Sequence, residues 1–334
     1  MRKEVTLQQI AQAAGVTRAT VSMALRNHPR ISVATRKKVQ ALAEQLGYRP
    51  NAELSRLMGL LRETRSTRDR PVMVLVTDYD KPLARGTGSR TWNGFKARAD
   101  ALGYIPEECW IHRDQLSPKR IVQILNTRAI RGVVFAALRD NTLPARMELS
   151  SFAVACVGSA IHQPLLHRST SDKYLNTQLV CEQLWKQGCR RIALAVPKQQ
   201  EERVEHTFLA GYLVFHHAHR HTGWRAPLVE ESVWNPDRLV AWTKKQQPDG
   251  VVAAYAGLSS ALAGRHGVPK KRCPRVACVH MNPDSPDMGV DQRDELIAAG
   301  AVDLVDAQLK RNETGIPDNA KTLLVRGVWH PGTR

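Results

Sequence analysis

A small all-helical unit followed by a much larger α/β body built on parallel sheets is the fold class that this sequence of 334 residues predicts. Three observations lead there. Three short capped helical segments fill the first 50 residues, and six apolar stretches of strand length then alternate with amphipathic segments from Val72 onward. That second region, at about 260 residues, is long enough for two sheets lying side by side with a cleft at the carboxyl ends of their strands.

In chain order, Thr6 and Gln9 form a capping box ahead of LQQIAQAA, and Gly15 closes this first helix. Thr17 caps the second, running from Arg18 to Leu25. After the turn NHPRI, Ser32 caps VATRKKVQALAEQL, whose Val39, Leu42, Ala43 and Leu46 recur at helical spacing and which Gly47 ends. Pro50 disfavours a helical Arg49, so a new short helix over AELSRLM begins at Asn51. Two turns are too few to stand alone in water, so this helix folds only when something holds it. RETRSTRDRP reads as a charged linker ending at Pro71. The body's strands are VMVLVT, GVVFAAL, FAVACVG, RRIALAV, GVVAAY and RVACVHM, separated by helical stretches such as TWNGFKARADALG and DKYLNTQLVCEQLWKQG.

Helices one and two are joined by AGVT, the short glycine-bearing turn of a helix-turn-helix. On the second helix Arg18, Ala19, Ser22 and Met23 span about 140°, opposite Val21, Ala24 and Leu25. Such a small outer face suits insertion into a groove. Charge points the same way. Lys and Arg number 49 against 31 Asp and Glu, a formal net charge of +18, so a polyanion is the first partner to consider and nucleic acid precedes a membrane surface. Residues 1–65 hold 12 of the basic and only 4 of the acidic residues.

No apolar run approaches the ~18 residues of a transmembrane helix, and MRKEVTLQQIAQAAG lacks the apolar block of a signal peptide, so a cytoplasmic protein is expected. Six scattered cysteines without a CxxC pair fit reduced thiols. The run HHAHRH at 216–221 places His217 and His221 at i and i+4, but no carboxylate or cysteine joins them at ligand spacing, so a solvated helix end is expected and no metal or cofactor is called for. GxSxG, GxxxxGK and HExxH are all missing, and the adjacent pairs Glu107–Glu108 and Glu230–Glu231 point apart and are expected to be solvated. Nothing argues for an enzyme.

VTLQQIAQAAGVTRATVSMAL followed by ISVATRKKVQALAEQLGYRPN resembles, without a gap from Val5 to Asn51, the DNA-binding headpiece of the lactose-repressor (LacI/GalR) family of bacterial transcription regulators. Asp172, then GCRRIALAV and LAGY at 209–212, extend the resemblance into the body, with Cys189 in place of a family histidine and Asn176 in place of a glycine. The resemblance implies a homodimer whose two headpieces read a pseudo-palindromic double-stranded DNA operator. It also implies a periplasmic-binding-protein-like (type I) domain of two parallel-sheet subdomains that senses a small-molecule effector, a sugar or related metabolite. The domains implied are a headpiece over 1–50, a hinge helix and linker over 51–70 and an effector-binding and dimerisation domain over 71–334.

Carried over residue by residue, Arg18, Ala19 and Met23 take base-reading positions. Thr6, Thr17, Thr20, Ser22 and Asn27 fall at or beside phosphate contacts, and Leu57 is the minor-groove wedge of the hinge helix that Asn51 opens; Arg56, beside Leu57, is long enough to reach phosphates. Met23 stands where many relatives carry arginine, and Leu54 and Ser55 replace the hinge's usual alanine and arginine. For the cleft the resemblance leaves Asp78, Tyr79, Trp92, Asp172, Phe208, Tyr255, His280 and Gln292 as lining. Phe208 stands at the family's arginine position, and Ala254 and Tyr255 replace its Asn-Asp pair. The expectation is a repressor; the alternative is a solute-binding receptor or sensor with no DNA role.

Overall fold

The computed structural model describes residues 6–25, 27–48, 70–78, 87–111, 117–136, 138, 143, 147–159, 161–219, 227–230, 235–254 and 273–333, apart from the side chains of residues 19, 87–89 and 236. The N-terminal unit consists of α1 (Leu7–Ala14), α2 (Arg18–Leu25) and α3 (Val33–Gln45). Their core is made of small residues, Ala11, Ala14, Ala24 and Ala43 around Ile10, Val21 and Val39, which lets three short helices approach closely.

The body is two six-stranded sheets. The first has the order β2 (Ile105–Trp110), β1 (Val72–Thr77), β3 (Gly132–Ala136), β4 (Ala153–Val157), β5 (His167–Ser171), β11 (Thr322–Val325), every pair parallel. The second runs β7 (Leu228–Val229), β6 (Ile192–Val196), β8 (Gly250–Ala253), β9 (Arg275–Met281), β10 (Met288–Asp291), β12 (Val328–His330). It is parallel except for β12, which joins β10 antiparallel and so departs from the purely parallel expectation at one edge.

Each sheet is covered on both faces, which is why its central strands read as unbroken apolar runs. On one face of the first sheet, α4 (Thr87–Ala101) and α10 (Asp294–Arg311) bring Phe95, Ala298, Val302 and Val305 onto Met73, Leu75 and Val134. On the other, α5 (Pro118–Thr127) sets Ile121 and Leu125 against Val74, Val76 and Val133. The second sheet takes α6 (Lys173–Lys186) and α8 (Thr207–Ala218) on one face, with Leu184, Phe208 and Tyr212 on Leu194 and Val252. The other face receives Leu239 and Trp242 of α9 (Pro236–Gln246). Fully burying a side chain of this size contributes ~1.5–3 kcal/mol, so these four layers carry the fold.

The chain crosses between the sheets three times: from β5 to α6 at Asp172, from β10 to α10 after Asp291, and from β11 to β12. The crossings are tied together. Asp172 N donates to Val325 O (2.9 Å), and Gly327 N donates to Asn176 Oδ1 (3.0 Å). Asn176, the residue in place of the family glycine, thus uses its carboxamide to pin the third crossing to α6.

One sequence expectation is corrected here. His216 is not part of a solvated helix end: it is buried, its ring edge-on to Tyr212 and Phe215. His217 is exposed, and His221 lies outside the described residues. Of the adjacent glutamates, Glu107, Glu108 and Glu230 keep solvent contact and also find partners, Glu107 in a two-fold fork with Arg128 (2.6 Å each), Glu108 accepting from Thr77, and Glu230 pairing with Arg238 at 2.6 Å, while Glu231 lies outside the described residues.

Gly94 sits where α4 meets the start of α10. A Cβ there would lie 2.2 Å from the backbone oxygen of Glu295. Backbone cannot yield as a side chain can, so Gly94→Ala is expected to lower stability by about 2–3 kcal/mol despite alanine's better helix propensity, as read from the urea midpoint. An unchanged midpoint would show that the two helices are free to separate.

Candidate functional site

The headpiece presents its polar groups through its caps. Gln9 N donates to Thr6 Oγ1 while Thr6 N donates to Gln9 Oε1 (2.8 Å), completing the capping box. Gly15 ends α1 at φ 70°, a conformation open to glycine, and Lys38 Nζ donates to Ala14 O at 3.0 Å, placing a cation at the helix's negative end. Thr20 N donates to Thr17 Oγ1 (3.2 Å), and the two hydroxyls meet at 2.9 Å, so the start of α2 carries a pair of linked hydroxyls beside exposed Arg18. Ser22 and Met23 lie outside the core, on the side of α2 away from fully buried Val21 and Ala24, and Ala19 holds the position after Arg18.

Asn27, just past α2, has φ 56°, a left-handed conformation that asparagine tolerates better than most residues. Its Oδ1 accepts from Gln40 Nε2 at 2.9 Å, which fixes the side chain against α3 and leaves the amide donors for an outside acceptor. Asn51, Arg56 and Leu57 lie outside the described residues.

In the body, charge gathers where α4, the end of β10 and the start of α10 meet. Arg90 near the start of α4 makes two forks at once. Nε and Nη2 donate to the Glu295 carboxylate (2.6 and 2.7 Å), while Nη1 and Nη2 donate to Asp291 (2.8 and 3.2 Å). Burial works against the charge, but the hydrogen bonds to Glu295 and Asp291 outweigh it and hold the guanidinium above its ordinary range. Because α4 packs on the first sheet and Asp291 ends a strand of the second, this fork ties the two halves together. Asp294 approaches both Arg90 (4.0 Å) and His280 Nε2 (3.4 Å).

Among the residues expected to line the cleft, Asp172, His280 and Gln292 gather at the crossings. Asp172 Oδ1 accepts from Leu175 N (3.0 Å), capping α6, and the carboxamide of buried Gln292 donates to Val279 O (2.9 Å). Asp78 follows the end of β1, and half-buried Trp92 packs 5.7 Å from Phe95. Phe208 is a correction. It is only 2% exposed and lies in the second sheet's core with Val180, Val204 and Tyr212, because an aromatic ring at that place in α8 faces the sheet. Tyr79 and Tyr255 lie outside the described residues.

The sequence reading missed Arg90, Asp291, Asp294 and Glu295, whose partners are some 200 residues apart in the chain. The only local signal was a run of acids, DQRDE, starting at the last residue of a strand. All six cysteines are free thiols, and burial pushes Cys156 up to about 11 and Cys278 to about 12, which leaves them unreactive. Among the described residues no cluster of three His, Cys, Asp or Glu could hold a metal ion, and no helix is long and apolar enough to cross a membrane.

A capped helix-turn-helix unit precedes a two-sheet α/β body with three crossings. Residues 6–51 match the family model described as bacterial regulatory proteins, lacI family, and the headpiece is a lacI-family helix-turn-helix domain. The chain is 26% identical to the HTH-type transcriptional regulator DegA of Bacillus subtilis over 48% of this chain and 45% of DegA. To the HTH-type transcriptional repressor CytR of Escherichia coli it is 26% identical over 62% of this chain and 58% of CytR. The chain spans about half the length of the curated relatives it matches. In fold it is similar over 99% of both chains to the lac repressor dimer solved bound to operator and the anti-inducer ONPF, with 19% identity and a TM-score of 0.56. It is likewise similar to a transcriptional regulator CelR solved with cellobiose, with 19% identity, 99% coverage of both chains and a TM-score of 0.53. The expectation of a body built of two parallel-sheet subdomains is met, apart from the antiparallel β12.

Replacing Arg90 leaves Asp291 and Glu295 facing each other without their cation. Arg90→Met is expected to cost about 2 kcal/mol, below the ~3–5 of a fully buried pair because Glu295 is partly solvated. The urea midpoint checks this, and a neutral result would mean the forks contribute nothing in solution.

Proposed function

We propose that this protein is a sequence-specific DNA-binding transcription regulator, a repressor, that acts as a homodimer on a pseudo-palindromic operator and is modulated by a small-molecule effector bound between its two sheets. The observation that carries the reading is α2 itself: a capped helix with Arg18, Ser22 and Met23 outside its core, inside a segment matching the lacI family.

Each α2 enters a major groove. The Thr17 and Thr20 hydroxyls at its positive end, with Thr6, Ser22 and the Asn27 amide, meet phosphates, which fix register without reading sequence. Arg18 makes a two-pronged contact with O6 and N7 of guanine, worth ~1–3 kcal/mol of discrimination. Ala19 and Met23 supply apolar contacts to thymine methyl groups, so the operator differs from one read by an arginine at residue 23. Domain limits of 1–50, 51–70 and 71–334 place Asn51, Arg56 and Leu57 in a hinge helix. Its pairing with a second copy sets Leu57 into the central minor groove. Unstacking there costs a few kcal/mol, which the larger protein surface wrapped by the bent duplex offsets. An effector that prefers one arrangement of the two sheets shifts the hinges toward or away from that pairing, and operator binding changes effector affinity by the same factor.

Free thiols support placing this work in the cytoplasm, and relatives named as regulators support assigning no catalytic step.

The test is a mobility shift on duplexes selected from a random pool. Full-length chain is expected to bind one class of duplex, and a chain lacking residues 1–60 to lose that binding. Equal binding by both would remove the headpiece from the mechanism and favour a solute receptor. Within the selected class, Arg18→Ala is expected to relax preference at one base position per half-site by about 1–3 kcal/mol, whereas uniform weakening would reduce Arg18 to a phosphate contact. Leu57→Ala is expected to lower affinity and bend angle together, and an unaltered bend would rule out the wedge.

A further inference from the structure

Three cations meet at the first crossing between the sheets. Arg168 on β5 is 8% exposed, and its Nη2 donates to Ile161 O at 3.0 Å. Lys173, the first residue of α6, donates to Thr170 Oγ1 at 2.8 Å. Arg203 ends α7 (Lys198–Arg203), which follows β6 of the second sheet, yet its Nε donates to Ser159 O (3.2 Å) in the loop after β4 of the first. Among the described residues none of the three pairs with a carboxylate, and the charges of Arg203 and Arg168 both disfavour that of Lys173. Glu205 and His206, immediately beyond α7, hold consecutive left-handed conformations (φ 54° and 59°), a strained turn of the kind that persists at ligand clamps.

We infer that the cleft takes a small anion, whose carboxylate or phosphate group sits among Lys173, Arg168 and Arg203 and joins one sheet to the other. The inference rests on the proposal that the body is an effector domain, and it names the effector's chemistry. The neighbouring acids do not fill this role. Asp172 caps α6, and Asp294 lies near His280 and Arg90. Desolvation, then Arg203 and Arg168, push Lys173 down to about 8 against the pull of Asp172 and Asp294. A lysine left so poorly compensated fits a site whose counter-charge arrives with a ligand. Since Arg168 belongs to the first sheet and Arg203 to the second, the same anion would favour one arrangement of the halves, as an effector must.

The test is calorimetric titration of the full-length chain at pH 8, in two buffers of different ionisation enthalpy, with inorganic phosphate, glucose 6-phosphate, glucuronate and glucose. At least one anion is expected to bind saturably with uptake of a fraction of a proton, because its charge raises a Lys173 that is half neutral at that pH. Affinity is expected to fall at least ten-fold in Arg203→Gln and in Lys173→Met, and glucose to bind far more weakly. Glucose 6-phosphate against glucuronate separates a phosphate from a carboxylate ligand. Glucose binding as tightly as the anions, anion binding unchanged in both variants, or no saturable binding by any of the three anions would each overturn the inference. A parallel mobility shift keeps the two claims apart. Intact operator binding without an anion response sinks the ligand class alone, and an anion response without any operator binding sinks the regulator reading instead.

Discussion

The body depends on three chain crossings being held in one bundle. A single crossing would leave two sheets joined by a tether; three crossings, tied by Asp172 N to Val325 O and by Gly327 N to Asn176 Oδ1, leave them one shared axis about which to move. Arg90 adds a tie of a different kind. Its two carboxylate forks are directional and partly desolvated, so they specify one arrangement of the halves, where backbone hydrogen bonds specify only connection. Gly94 follows from the same demand, since α4 can bring Arg90 to Asp291 only by lying against the backbone at Glu295.

This geometry explains why charge gathers where it does. The crossings force helix starts and strand ends together, and the side chains there must serve both sheets. Asp172 caps α6, Asp294 faces Arg90 and His280, and Lys173 and Arg203 reach across the seam. A seam rich in charge costs stability relative to an apolar one of equal volume, and Lys173 shows this in its lowered proton affinity. On the proposed reading the compensation lies in responsiveness, because an effector that alters this balance would alter the relation of the two sheets.

Local chemistry was legible in the sequence, and long-range chemistry was not. The caps at Thr6, Thr17 and Ser32 all appear where the sequence placed them, because a cap is settled by residues three apart. The six apolar strands were legible because burial on both faces leaves no polar position to interrupt them. β5, with the sequence HRSTS, was not, since its polar side chains are buried by the crossing and by α10 and no periodicity of apolar residues marks it. Phe208 was read as cleft lining from its place in a pattern, but an aromatic ring went to the core. Arg90, Arg168 and Arg203 carried no local sign at all, since their meaning lies in partners that only the topology supplies.

The central claim is that two copies of the headpiece, carried on one sensing body, grip a two-fold symmetric duplex. Footprinting the full-length protein on its selected duplex tests it most directly. The account predicts two equivalent protected half-sites about a helical turn apart, with a distorted base step midway between them. A single protected segment with no symmetry, or protection independent of base sequence, would contradict it.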